Sequence, residues 1–527
     1  SAQVLADRIR SLPARHQALA AERRQQQRQA EMQQEAALAH QKIEQLRARR
    51  TGLNVAFVVL LAGLGISVLM YRQAVAARQQ AEHAQTVAQE VSNFLNYDIL
   101  AATEAEGRDA RSLTAQQLLD DAAKRIDARF KDLPEAGAQV HTAFSSSYMQ
   151  IGDTAAAFFH RDRGWDIAKS LQQSDPEAAL RLAVDLSPVD YTRDVDADFW
   201  LAMREEAIKR WGARDGRTLL LRNAVALVQS RQRLASAAVE SYSGIIRDAA
   251  YVPDYDIETL ATHWEDLGQE QASLAHFDVA EAAYRKAISM YDQLYQPGSF
   301  SAVTAQLRYA RMLITLGRFD EAEALIDLSL KAGRAQRNSQ NALVITAQRT
   351  QVILRIEQNR YTEAEAILAE VLRADTASRG VHSQQVVYAG YLLALLRERQ
   401  GDFAGATQRI RDTLDAQQQV PVALLYGENR KSAERVRYQL LLVRVLAEQG
   451  LAREARAAFA AISQTALKAS WLSELDQVEA LETQAALLRS EGSLTQAEAE
   501  LRKAQGISSR LLGAQHAQTR RLQAAQS

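Results

Sequence analysis

The tripeptide His160-Arg161-Asp162 spells the opening of a phosphotransfer loop, in which the aspartate takes the proton of the attacking hydroxyl. Such a loop also needs an apolar residue directly after the aspartate and an asparagine five residues on to hold magnesium. Arg163 and Ile167 stand at those places, with no glycine-rich phosphate loop, strand lysine or Asp-Phe-Gly elsewhere. The tripeptide therefore reads as a polar helix face. The 9 histidines are scattered and form no His-x3-His or His-Glu-x2-His pair. No Gly-x-Ser-x-Gly occurs. With 0 cysteines, disulfides, thiolate zinc sites and cysteine nucleophiles are excluded. The acidic stretch from Asp190 to Asp198 reads as a solvated loop rather than a calcium site. No catalytic residue, cofactor or metal site is expected, so function must be sought in binding.

The elements that could present a binding surface are helices. In 527 residues there are 23 Gly and 7 Pro, and Ala, Leu, Gln, Glu and Arg dominate. These side chains lose little freedom in a helix. An all-α chain follows, too long for one compact core. The net charge of -1 argues against a nucleic-acid surface.

Leu53 to Tyr71 reads LNVAFVVLLAGLGISVLMY, without a charge. At about 1.5 Å per residue, these nineteen residues span roughly 28 Å, close to a bilayer core of about 30 Å. Ala74-Val75-Ala76 imitates a signal-peptide cleavage site, but the long preceding segment and Arg72 favour an uncleaved anchor. Lys42, Arg47, Arg49 and Arg50 precede the span, and only Arg72 and Arg78 follow closely. Positive flanks stay inside, which places the N-terminus in the cytoplasm and the remainder in the periplasm of a bacterial inner membrane. The lipid bilayer is thus an expected partner. Residues 1–50 form a cytoplasmic juxtamembrane helix, 51–71 the transmembrane helix, and 72–135 a stalk and linker. A homodimer through the Ala-rich stalk is a further expectation.

Internal repetition sets the rest of the fold. Ala280, Ala322, Ala364, Ala406, Ala455 and Ala497 recur at intervals of 42, 42, 42, 49 and 42. Each follows a turn residue and an apolar residue (Gly317 and Phe319, Asn359 and Tyr361, Gly401 and Phe403, Gly492 and Leu494) and precedes a large apolar one. Helix, tight turn and helix is the unit this implies. The small Ala permits close approach, and hairpins that cannot bury a face alone must stack. Ala238 lies another 42 residues before Ala280. Trp264, Leu267, Gly268, Ala280, Tyr284 and Ala287 resemble the tetratricopeptide pattern, and the 42-residue period is similar to its longer kinesin-light-chain variant. Ala310 and Ser329 depart from it, standing where Gly268 and Ala287 stand a repeat earlier. The fold class expected is an all-α tetratricopeptide-like α-solenoid preceded by one transmembrane helix. About six repeats span 251–520, after a degenerate region at 136–250 in which Pro176, Pro188 and the acidic stretch predict irregular helices.

In arrays of this family the first helix of each repeat lines the concave face. The resemblance projects a protein-binding groove onto Glu265, Thr304, Arg311, Arg349, Tyr388, Tyr391, Arg399, Arg437 and Arg444. Arg and Tyr suit carboxylates and extended peptides, so the expected partner is a protein or peptide. Phe94-Leu95-x2-Asp98-Ile99-Leu100 and Leu118-Leu119-Asp120-x-Ala122-x2-Arg125-Ile126 resemble the region just outside the membrane in two bacterial receptor types. One is the Hanks-type serine/threonine kinase with a tetratricopeptide sensor, the other the membrane-anchored winged-helix regulator. Ser1 to Arg10 is similar to the closing helix of a kinase C-lobe. The resemblance implies a sensor that signals to a cytoplasmic output domain before Ser1, a kinase in the first reading. A non-signalling envelope scaffold is the alternative.

Overall fold

A computed structural model describes residues 114–526 apart from 152, 188–196, 296–297, 336–341, 421–427, 463–466, 468 and 470–471. Before residue 114 it describes 85–94 and scattered positions between 23 and 83. The expected membrane span, apart from Met70 and Tyr71, lies outside the described residues, as does part of the stalk. Among the described residues no helix is long and apolar enough to cross a membrane. The chain divides into two units, Ser1–Leu95 and Asn96–Ser527, of which the second carries the repeats.

The described residues of that unit are helical, with no strand among them. It opens with α1 (Ala115–Ala123), α2 (Ile126–Arg129), α3 (Pro134–Ile151), α4 (Thr154–Ser174), α5 (Pro176–Leu186) and α6 (Ala197–Trp211). Pro188 and the expected acidic loop, apart from Ala197 and Asp198, lie outside the described residues, and the chain breaks between two helices just before Pro176. Pro176 is the first residue of α5, where its missing N–H costs nothing, and Asp175 caps the helix by accepting from the Ala178 N–H at 3.0 Å. Trp165 and Trp200 centre the local core.

Seven hairpins follow: α7 (Gly216–Arg231) with α8 (Ala235–Ala249), α9 (Ile257–Ser273) with α10 (Phe277–Leu294), α11 (Phe300–Thr315) with α12 (Phe319–Ala335), and α13 (Ala342–Glu357) with α14 (Tyr361–Arg379). Then come α15 (Gln384–Arg399) with α16 (Phe403–Gln418), α17 (Glu428–Glu448) with α18 (Ala452–Ala460), and α19 (Glu474–Ser490) with α20 (Leu494–Leu512). The short α21 (Ala517–Ala524) closes the chain.

One backbone device makes the turn inside every hairpin. Arg233, Ala275, Gly317, Asn359, Gly401, Gly450 and Gly492 all have positive φ, between 57° and 79°. The residue after each donates its N–H to a carbonyl five residues back, at 2.8–3.0 Å, from Leu234 to Gln229 through Ser493 to Leu488. This left-handed C-cap satisfies carbonyls that a helix end leaves open and turns the chain back. The seven marker alanines, Ala238 included, are fully buried. Where a wider side chain sits opposite, the partner shrinks: a Cβ on Gly268 would lie 3.0 Å from the Tyr284 ring, whereas Ala310, one period on, shares a core with Ile326. The hairpins therefore form a tetratricopeptide-type solenoid.

Candidate ligand-binding chamber

The array winds back on itself. Arg233, in the α7–α8 turn, places Nη2 3.0 Å from Oδ2 of Asp476 in the first turn of α19. Near the α11–α12 turn, His516 makes a backbone hydrogen bond with Thr315. The inner helices thereby surround a cavity of about 970 Å³, at the upper end of the roughly 300–1,000 Å³ typical of ligand pockets.

Four of the nine projected groove residues line it: Arg311 on α11, Arg349 on α13, Tyr388 on α15 and Arg437 on α17. The other five are held elsewhere. Glu265 is buried, accepting from Tyr291 Oη at 3.2 Å and pairing with Arg308 Nε at 3.1 Å. The Thr304 hydroxyl donates to its own helix at the Phe300 carbonyl, 2.9 Å away. Tyr391 is buried in a stack, with ring centroids 4.9 Å from Tyr438 and 6.1 Å from Tyr388. Arg399 reaches Glu357 at 3.9 Å. Arg444 grips Glu398, with Nη2 to Oε2 at 3.1 Å, and meets Glu479 at 3.3 Å.

Sequence reasoning missed Arg233, Glu270, Arg308, Gln384, Glu434, Tyr438 and Asp476, all in the chamber wall. Asp476 carried one local signal, the capping box with Ser473 that starts α19. Its second task is visible only in space. One oxygen accepts from Arg437 at 2.7 Å and the other from Arg233 at 3.0 Å. Burial opposes ionisation of Asp476, but Arg437 and Arg233 outweigh it and hold the carboxyl well below its ordinary range. Asp476 in turn raises the Arg437 guanidinium further above its usual value. At Glu270 the pull of Arg233 is too weak to offset burial. Burial pushes the carboxyl up to about 7, against the hydrogen bond from Ser230 Oγ at 2.6 Å. Burial likewise lowers Arg349, whose nearest carboxylate oxygen, on Asp375, lies 3.4 Å away and forms no aligned hydrogen bond with Nε.

His160 and Arg161 are not on a polar face. They are buried on α4, with His160 Nδ1 2.7 Å from His141 Nδ1 and Arg161 stacked over Phe158 and Trp165. Paired rings and a cation over aromatic faces make these two residues part of a core, while Asp162 stays partly exposed.

No family model matches the chain, and comparison with curated proteins finds no relative. Solved structures similar to it include a Rap protein complexed with Competence and Sporulation Factor, at 15% identity and TM-score 0.47, covering 72% of this chain and 99% of that one. Aspartyl phosphate phosphatase F from Bacillus subtilis is 13% identical with TM-score 0.42, covering 81% and 95%. Yeast Tom70 is 11% identical with TM-score 0.33, covering 81% and 96%. Likenesses of this depth say nothing about activity.

Proposed function

We propose that the chain is a membrane-anchored binding protein whose helical array receives a protein or peptide ligand in its chamber. The bound state passes through the stalk to a cytoplasmic output domain. The supporting observation is the cavity itself, whose wall is drawn from the inner helices of all seven hairpins, four of which contribute Arg311, Arg349, Tyr388 and Arg437. Apolar Leu274, Phe277, Met312 and Leu472 lie among these polar groups, the mixture expected of a site that orients a ligand and buries part of it. The output domain is read as a serine/threonine kinase on the similarity of Ser1 to Arg10 to a kinase C-lobe helix. A winged-helix regulator or a non-signalling scaffold would use the same chamber, and the reading frame upstream of Ser1 separates the three.

The binding claim is tested by selecting a displayed random-peptide library against the full chain in detergent micelles. The wild type should enrich a common motif. Ser273 is exposed in the chamber wall, so Ser273→Trp narrows the space without entering the core; it should lose that enrichment. An unchanged motif would move binding out of the chamber.

A further inference from the structure

Away from the chamber, the linker helices α1 and α2 meet the α3–α4 hairpin at two histidines. His141 on α3 and His160 on α4 face each other with their Nδ1 atoms 2.7 Å apart, and they are only 1% and 3% exposed. One proton can lie between those nitrogens, so one ring donates and the other accepts. The Tyr148 ring stacks on His160 at a centroid distance of 5.3 Å, and its hydroxyl donates to Asp120 of α1 at 2.7 Å. On the other side His141 Nε2 lies 3.5 Å from Oδ1 of Asp127 in α2, which also accepts from Arg163 Nε of α4 at 3.0 Å. The two rings thus reach a carboxylate of α1, through Tyr148, and a carboxylate of α2 directly. The other charges nearby are engaged elsewhere. Arg161 stacks on Phe158 and Trp165 and pairs with Asp162 at 2.7 Å. Asp121 pairs with Lys124 at 2.7 Å, and Asp153 caps α4 and accepts from Gln116 of α1 at 2.9 Å. On α5, Arg181 meets Glu135 and Asp185 meets Gln139, each at 3.0 Å.

The geometry points to an acid-opened latch: the closed pair of His141 and His160 fastens α1 and α2 to the helical array, and protonation of both rings releases them. The pair tolerates one added proton, because an imidazolium can still donate to a neutral ring, and Asp127 favours the charge on His141. A second proton sets two N–H donors and two positive charges against each other at 2.7 Å in a buried site. The rings must then part, and Tyr148 and Asp127 move with them. Burial, with the His141 charge added, lowers His160 from 6.5 to about 4. Burial lowers His141 too, against the pull of Asp127. The released state takes up protons more readily, so the latch is fully held above pH 6.5 and is lost as pH falls through about 4. Burial opposes ionisation of Asp127, but Arg163 outweighs it and keeps the carboxyl below its ordinary range, so Asp127 stays charged over that interval. This device goes beyond the chamber and does not depend on what binds there.

The chain has no cysteine, so spin labels can be placed on exposed Ala128 of α2 and Ser170 of α4 in the full chain in detergent micelles. Ala128→Cys with Ser170→Cys should give a narrow distance distribution at pH 7.5. At pH 4.5 it should be longer and broader, because the opening constant rises by about two orders of magnitude. Labels through Ser236→Cys and Gln477→Cys, within the array, should not change; a change at both pairs would be ordinary acid unfolding and would overturn the latch. His160→Asn keeps a hydrogen-bonding group at the δ position without a titrating ring, and should hold the Ala128–Ser170 distance at pH 4.5. Because that buried substitution can itself loosen the hairpin, the wild type carries a second readout. Hydrogen exchange at the imidazole Cε1, followed by mass spectrometry, should show His141 and His160 titrating over the pH range in which the distance changes. An unchanged distance at pH 4.5, opening that persists in a folded His160→Asn variant, or histidine titration outside the opening range each rules the latch out.

Discussion

Arg233 and Asp476 are 243 positions apart in sequence and 3.0 Å apart in space. Asp476 also holds Arg437, which in turn lies 4.0 Å from Glu479, itself 3.3 Å from Arg444 on Glu398. The seam is thus the end of a relay of alternating charges through α19, α17 and α15. Asp476→Asn leaves Arg437 without its main counter-ion, at an expected cost of about 3 kcal/mol, read as a lower midpoint of chemical unfolding. Arg233→Gly should cost far less, because the residue occupies a left-handed turn that glycine prefers. It should nonetheless open the seam. The native chain has no cysteine, so spin labels placed through Ser236→Cys and Gln477→Cys report the distance directly. A broadened distribution in Arg233→Gly with little loss of stability is the expected outcome; an unchanged distribution would mean the seam does not hold the ring.

Glu270 makes stability depend on pH in a defined direction. Its carboxyl sits at about 7 in the folded chain against an ordinary 4.5, so the folded state binds more protons across that interval. Stability contributed by the protonated acid is complete below 4.5 and is lost as pH rises through 7. Glu270→Gln removes the ionisation and should raise the melting temperature by a few degrees at pH 8, with little change at pH 4.5. A variant that follows the wild type at both pH values would show that Glu270 is not the group responsible.

Ala275 occupies the left-handed turn position that Gly317, Gly401, Gly450 and Gly492 occupy in other hairpins. A Cβ in that conformation costs roughly 1 kcal/mol. Ala275→Gly should therefore stabilise by about that amount, despite the greater freedom of glycine in the unfolded chain. Thermal unfolding measures it, and a destabilised variant would show that unfolded-state entropy dominates at this turn.

The proposed anchor from Leu53 to Tyr71 is tested by topology. Alkaline phosphatase fused after residue 250 should be active and fused after residue 40 inactive, because only the periplasm supports its folding. The reverse pattern would invert the orientation, and inactivity at both sites would remove the span.

What the sequence carried well was whatever repeats. The marker alanines from Ala280 to Ala497 are legible because each performs the same local task, and four turn positions announce themselves as glycine. The turns at Arg233 and Ala275 were hidden because the backbone imposes positive φ on residues that do not advertise it. The chamber was half legible. The family resemblance projects Arg311, Arg349, Tyr388 and Arg437 onto the inner face. It cannot tell that Arg444, on the same helix as Arg437, finds Glu398 within reach and turns aside. His160 and Arg161 read as polar because residue type stands in for exposure, and nothing local reveals that His141 waits across the hairpin. The seam is beyond any local pattern, since the curvature that brings residue 476 to residue 233 accumulates over five intervening hairpins.

A helical array ordinarily tolerates gain or loss of a unit, because each unit touches only its neighbours. The bond between Arg233 and Asp476 withdraws that tolerance. Deleting the 42 residues from Gly317 to Gln358 would present Arg233 with a later step of the spiral instead of Asp476, although every local turn remained intact. The seam acts as a gauge of copy number: between residues 233 and 476 the chain must hold one whole count of hairpins, and drift in that count, harmless elsewhere in such arrays, would leave this circle unable to meet.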